Sequence, residues 1–106
     1  MSKRPLDGIK AIDMSTFIGA PACARFLADF GADVIKIEPK SGDAVRFNGV
    51  SEGRLGTPYE NTTWDLENAN KRGLVLDLKS PEGIKILFEL LEQTHVFITN
   101  WRPQAL

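Results

Sequence analysis

Apolar and polar residues alternate over Ile9-Lys10-Ala11-Ile12-Asp13-Met14, the period of a β-strand, with Ala11 breaking the pattern. A turn from Ser15 to Gly19 follows. Pro21 suits the first position of a helix, because its missing N–H would lack a partner there anyway. The predicted helix runs to about Phe30, carries Ala22, Phe26 and Phe30 on one face, and stops at Gly31. Asp33-Val34-Ile35-Lys36-Ile37-Glu38 reads as a second strand, ended by Pro39. These elements make a first βαβ unit.

From Ser41 to about Glu67 there is little periodicity, and Gly42, Gly49, Gly53, Gly56 and Pro58 punctuate the stretch. A loop of that length in a small domain is expected to be functional, or packed against further chain or a second subunit. Periodicity returns near Gly73. A strand is expected through Leu74-Val75-Leu76-Asp77-Leu78-Lys79, leaving the basic turn Asn70-Lys71-Arg72. Ser80 is a good N-cap and Pro81 a good first helical residue, although Gly83 stands where a capping box would place Glu or Gln. Ile84, Leu87, Phe88 and Leu91 follow helical spacing, so that face is expected on the sheet, and Val96-Phe97-Ile98 reads as a buried strand. The sum is an α/β fold, a Rossmann-like parallel sheet built from two βαβ units. In such sheets, ligands bind beyond the carboxyl ends of the strands.

Composition changes this picture little. Of 106 residues, 42% are apolar and 25% charged, and 13 Lys and Arg against 14 Asp and Glu leave a net charge of −1. That balance suggests neither a nucleic-acid nor an anionic-membrane partner. The apolar runs fall far short of the ~20 residues that span a bilayer, and no hydrophobic signal region follows Met1-Ser2-Lys3-Arg4. One cysteine excludes an intrachain disulfide, and the setting reads as reduced and cytoplasmic. The last residues, Asn100 to Leu106, lack a terminating character, so the chain is expected to be a piece of a longer protein.

The architecture invites a dinucleotide, and Glu38 lies where an acidic residue would grip a ribose. The first turn, Ser15 to Pro21, nevertheless holds one glycine and no G-x-G-x-x-G, so NAD is not expected. Cys23 reads as a small buried apolar residue rather than a nucleophile, and the single histidine, His95, has no companion ligand, so no metal is expected. Asp13, Asp33, Glu38 and Asp77 each read as strand-end or solvated carboxylates. The cations Lys36, Lys40, Arg46, Lys71, Arg72, Lys79 and Arg102 fall at strand ends, turns or in the long loop. Together they fit an anionic, nucleotide-like ligand at the carboxyl edge of a parallel sheet.

Eight short blocks in order carry a resemblance over essentially the whole chain. They are Pro5-Leu6-Asp7-Gly8-Ile9, Gly19-Ala20-Pro21, Gly31 to Glu38, Gly42-Asp43 with Arg46, Asn70-Lys71-Arg72, Leu76 to Lys79, Pro81-Glu82-Gly83, and Asn100-Trp101-Arg102-Pro103 with Ala105-Leu106. In these the chain resembles the N-terminal part of the family III coenzyme A transferases, the group that includes formyl-CoA transferase and α-methylacyl-CoA racemase. Ser51 to Arg54, Glu60 to Thr63 and Asp65 to Lys71 look most like the branch acting on 2-hydroxy acids such as aryllactates.

The resemblance implies that residues 1–106 are the CoA-binding α/β part of a larger, interlocked-dimer enzyme, with acyl-CoA and a carboxylic acid acceptor as partners. It implies cofactor contacts at Phe17, Ile18 and Gly19 in the first turn, and at Leu76, Asp77, Leu78 and Lys79 along the nucleotide end. It implies further contacts at Asn100, Trp101 and Arg102. Several relatives place Arg after the strand-end Glu; here Pro39 stands there, and Lys40 offers only a point charge in its stead. The nucleophilic aspartate of the transferases, which forms an enzyme–CoA thioester, is expected downstream, so the 106 residues alone are expected to be inactive. A racemase, or a CoA- or nucleotide-binding module without a reaction, are the alternatives.

Overall fold

The computed structural model describes residues 3–47 and 62–105. Its strands are β1 (Lys10–Asp13), β2 (Asp33–Glu38), β3 (Arg72–Val75) and β4 (Val96–Ile98). They form one parallel sheet in the order β3-β2-β1-β4. The helices are α1 (Gly19–Asp29), α2 (Thr62–Asn68) and α3 (Pro81–Leu91), with 3-10 turns at Ala44–Phe47 and Pro103–Ala105. The first βαβ unit joins neighbouring strands. The second spans the sheet, from edge strand β3 to edge strand β4, and the order reverses beside β1. This arrangement creates a topological switch point between β1 and β4.

Strand alternation sends successive side chains to opposite faces. On one face Ala11 and Val34 pack with Ala24, Ala28 and Ala32, against α1. On the other, Ile12, Met14 and Ile37 pack with Leu76 and Leu87, against α3. The α1 side is built of small residues, which lets the helix approach the sheet closely. Pro21, Ala24 and Ala28 therefore form its buried stripe. Phe26 and Phe30 lie on an exposed face of α1, and Cys23, expected to be buried, is exposed as well. The helix ends as the stop at Gly31 predicts. Gly31 takes a φ of 110° while its N–H bonds Ala28 O and the Ala32 N–H bonds Leu27 O, a Schellman closure.

Four more expectations change. The strand read as Leu74–Lys79 stops at Val75, and Leu76 to Lys79 instead cross the carboxyl edge of the sheet. The α3 face is carried by Leu87 with half-buried Ile84, Leu90 and Leu91, whereas Phe88 is exposed. Among the described residues β4 is an edge strand, and Phe97 is exposed. Within the stretch read as a long loop, Ala44–Phe47 and Thr62–Asn68 are helical. Ser51 to Arg54, Glu60 and Asn61 lie outside the described residues.

Ser80 caps α3 as expected, its Oγ accepting from the Gly83 N–H at 3.0 Å. The glycine in place of Glu has a steric reason. A Cβ on Gly83 would sit 1.9 Å from the carbonyl oxygen of Asp77, so the helix start is pressed onto the 77–80 loop. Any side chain at 83 would push that loop, and the edge it builds, away from the helix.

Candidate functional site

Every strand delivers a polar or cationic segment to the carboxyl edge of the sheet. β1 runs into Ser15-Thr16-Phe17, β2 into Pro39-Lys40, β3 into Leu76 to Lys79, and β4 into Asn100-Trp101. Two adjoining clefts open there. The larger, of about 360 Å³, is lined by Pro39, Lys40, Leu76 to Lys79 and Trp101. The smaller, of about 240 Å³, is lined by Ser15, Thr16, the end of β2, Gly42 to Ala44 and again Pro39 and Trp101. Pro39 and Trp101 form the ridge between them.

Six of the eleven residues singled out in the sequence thus meet in one cleft: Lys40, Leu76, Asp77, Leu78, Lys79 and Trp101. Its apolar surface of Leu76, Leu78, Pro39 and Trp101, bordered by two lysines, suits a ligand with a flat ring and phosphates. Asn100 does something more local. Its Oδ1 accepts from the Thr16 N–H at 3.0 Å and its Nδ2 donates to Thr16 O at 2.8 Å, so its amide clamps the first turn across the switch point. Phe17 and Ile18 are exposed on that turn, Gly19 opens α1, and Arg102 is exposed beyond Trp101.

The cations sort differently from their sequence reading. Lys36 is 1% exposed and lies inside the sheet, where register pairs it with Asp13. Its Nζ donates to Ser15 O at 2.6 Å and faces Asp43 Oδ2 at 2.9 Å. Lys71 is likewise interior. Its Nζ meets Asp13 Oδ2 at 2.7 Å, Pro21 O at 2.8 Å, Glu67 O at 3.0 Å and Asn68 Oδ1 at 2.7 Å. Two ammonium groups and two carboxylates therefore form a closed, buried network where anion-binding cations were expected. Burial pushes the Lys71 pKa below its ordinary value, against the opposing hydrogen bond and charge of Asp13. Arg72 pairs with Asp33 at the opposite, amino edge of the sheet.

Asp13 and Glu38, read as strand-end or solvated carboxylates, are buried as well. Glu38 takes a two-point grip from Arg46, Nε to Oε2 and Nη2 to Oε1, each at 2.8 Å. The Arg46 guanidinium lies 3.6 Å from the centre of the Trp64 ring. Glu38 Oε2 also accepts from the Asp43 N–H at 2.8 Å, and Gly42, at a φ of 84°, makes the turn that allows it. Residues missed in the sequence are thus Asp43, Thr16 and Trp64. The block Gly42-Asp43 with Arg46 signalled Asp43, and Thr16 stood in the turn from Ser15 to Gly19.

The same contacts set a pH dependence. Burial alone would raise the Glu38 carboxyl, but the hydrogen bonds from Arg46 and the Asp43 N–H, with the charges of Arg46 and Lys36, hold it below its ordinary value of 4.5. For Asp43, burial is likewise outweighed by hydrogen bonds from Thr16, Val45 N–H and Lys36 and by the Lys36 charge, and its pKa falls below 3.8. A carboxyl with a depressed folded pKa contributes stability that is complete above its unfolded pKa and is lost as pH falls through the folded one. Denaturant unfolding is expected to show a plateau above about pH 5 and a progressive loss below about pH 4. The Arg46→Met variant should show a shallower loss over that window, and an unchanged acid slope would contradict this account.

Among the described residues no group of three or more His, Cys, Asp and Glu is placed to hold a metal, and no helix is long and apolar enough to cross a membrane.

Comparison with known proteins agrees with the geometry. Residues 6–106 match the model of CoA-transferase family III. Cinnamoyl-CoA:phenyllactate CoA-transferase of Clostridium sporogenes is 54% identical over 99 residues, 93% of this chain and 24% of that protein. (R)-2-hydroxy-4-methylpentanoate CoA-transferase of Clostridioides difficile is 46% identical over 101 residues, 95% of this chain and 25% of that protein. The chain thus spans about a quarter of the length of the curated relatives it matches. Among solved structures, a CAIB/BAIF family protein from Brucella suis superposes with a TM-score of 0.85 at 29% identity, over 98% of this chain and 28% of that one.

Proposed function

Because the chain belongs to CoA-transferase family III, we propose that it supplies the coenzyme A-binding α/β part of an enzyme that moves CoA between carboxylic acids. The observation that carries this reading is the cleft at the carboxyl edge, where Trp101 and the Leu76–Lys79 loop form an apolar wall bordered by Lys40 and Lys79. The fit is chemical. Trp101 and the leucines offer a face for the adenine ring, and the lysines offer charge to the phosphates. Pro39 in place of an arginine leaves Lys40 as a point charge without bidentate geometry.

The acids are 2-hydroxy acids and their acyl-CoA partners in this reading, as the names of the two relatives indicate for those proteins. Phenyllactate and 2-hydroxy-4-methylpentanoate share a hydroxyl beside the carboxylate and a bulky apolar tail. The nucleophile, an aspartate that carries CoA as a thioester between acids, belongs outside these 106 residues, so the chain by itself binds CoA without transferring it. A homodimer, in a cytoplasmic setting, completes the enzyme.

The test is acid exchange by the complete reading frame that encodes this chain. Purified protein given cinnamoyl-CoA and phenyllactate is expected to yield free cinnamate and phenyllactyl-CoA. No exchange with any 2-hydroxy acid would sink the transferase reading. Loss of configuration at the α-carbon of a chiral acyl-CoA, without exchange, would turn it to a racemase, and tight CoA binding with neither reaction would leave a binding module.

A further inference from the structure

Phe17 holds a φ of 66°, in the left-handed region that a bulky L-residue adopts only when its surroundings impose it. Three groups impose it. Asp43 Oδ1 accepts from Thr16 Oγ1 at 2.5 Å and from the Phe17 N–H at 3.2 Å. The Asn100 amide brackets Thr16 on both its N–H and its carbonyl. Lys36 Nζ holds Ser15 O. Only Asp43 reaches Phe17 itself. It is 4% exposed and anchored from behind by the Val45 N–H at 3.0 Å and by Lys36. The turn presents two large apolar side chains, Phe17 and Ile18, to the carboxyl edge, each more than two-fifths exposed. Water is a poor environment for them, and a strained turn holding them there has no benefit to the fold alone.

We propose that Asp43 is a positioning residue, which sets the strained Thr16–Phe17 turn and through it places Phe17 and Ile18 against the bound acyl-CoA. Its functional half rests on the CoA reading above; its structural half does not. The carboxylate performs two separable tasks. One oxygen accepts hydrogen bonds from the turn, and the other neutralises Lys36. Asparagine retains an acceptor oxygen for the turn but cannot neutralise Lys36, whereas alanine does neither.

The test uses the complete protein with Asp43→Ala, Asp43→Asn and Thr16→Val. Thr16→Val removes one bond to Asp43 and leaves the Lys36 pair in place, so it reports on the turn even where Asp43→Ala does not fold. Amide exchange at Phe17 to Gly19 and the kinetics of CoA exchange are read together. The expected result is faster amide exchange at the turn and a kcat reduced tenfold or more in Asp43→Ala. A smaller loss in the same direction is expected in Thr16→Val, with most of the kcat restored in Asp43→Asn although that variant is destabilised like alanine. If Asp43→Asn is as slow as Asp43→Ala, activity follows stability and the inference is overturned. Unchanged turn exchange in both Asp43→Ala and Thr16→Val overturns it too, while the CoA reading stands. A wild-type protein that neither binds nor transfers CoA overturns that reading and the functional half of the inference with it.

Discussion

Replacing Lys71 with methionine is expected to destabilise the fold by about 3–5 kcal/mol, a large share of the ~5–15 kcal/mol that holds a typical domain. The Lys71 side chain is 1% exposed and its partner Asp13 is fully buried. Methionine fills similar volume, so the cost is electrostatic rather than a cavity. It leaves Asp13 with Lys36 at 3.7 Å and Ser15 as remaining partners, and leaves Pro21 O, Glu67 O and Asn68 Oδ1 without the ammonium they share. Lys71 also ties three elements together: the end of β1, the first turn of α1 and the last turn of α2. The neighbouring Arg72→Ala is the control. That arginine pairs with Asp33 at the surface, where both side chains are well exposed, so its loss should cost within about 1 kcal/mol. Urea midpoints by circular dichroism read both variants, and equal shifts at 71 and 72 would refute the buried network as the source of stability.

The second large effect is on ligand affinity. Trp101→Ala is expected to weaken CoA binding by about 1–3 kcal/mol, roughly five- to 150-fold in Kd, the usual range for losing an aromatic platform under a base. Trp101 is shared by both clefts, so its loss joins them and removes the ridge on which a ring would rest. Trp101→Phe keeps a platform and should recover most of the affinity. Lys79→Ala should cost less, and its cost should shrink as salt is raised, since it removes a charge rather than a surface. Calorimetric titration of CoA into the complete protein measures all three. A Trp101→Ala protein that binds CoA like the wild type would remove the cleft from the binding reading.

Much of the scaffold was legible because its signals are local. Ser80-Pro81 starts α3, Gly31 stops α1 with a Schellman closure, and Pro39 follows the last residue of β2; each rests on the backbone preference of one or two residues. The family resemblance and the rule that ligands sit at the carboxyl edge singled out Lys40, Leu76 to Lys79 and Trp101, and the fold brings these residues into one cleft. What failed were statements about which side of an element faces inward. Cys23 and Phe88 were expected to face inward, yet both are exposed. On α1 the sheet accepts only the small stripe of Pro21, Ala24 and Ala28, and periodicity does not weigh volume.

The chain's order of turns, caps and alternating strands is enough to determine two βαβ units and a parallel sheet with polar loops at one edge. Those features arise from residues within a few positions of one another, where backbone sterics and side-chain period act directly. The charge of Lys36, Lys71, Asp13, Asp43 and Glu38 was visible too, but not its use. Asp13 and Lys36 become partners through β1–β2 register, Lys71 reaches Asp13 across 58 positions, and Asp43 meets Phe17 across 26. Only the tertiary structure decides whether such a group faces water, where it would serve a ligand, or another charge in the interior, where desolvation makes it part of the fold.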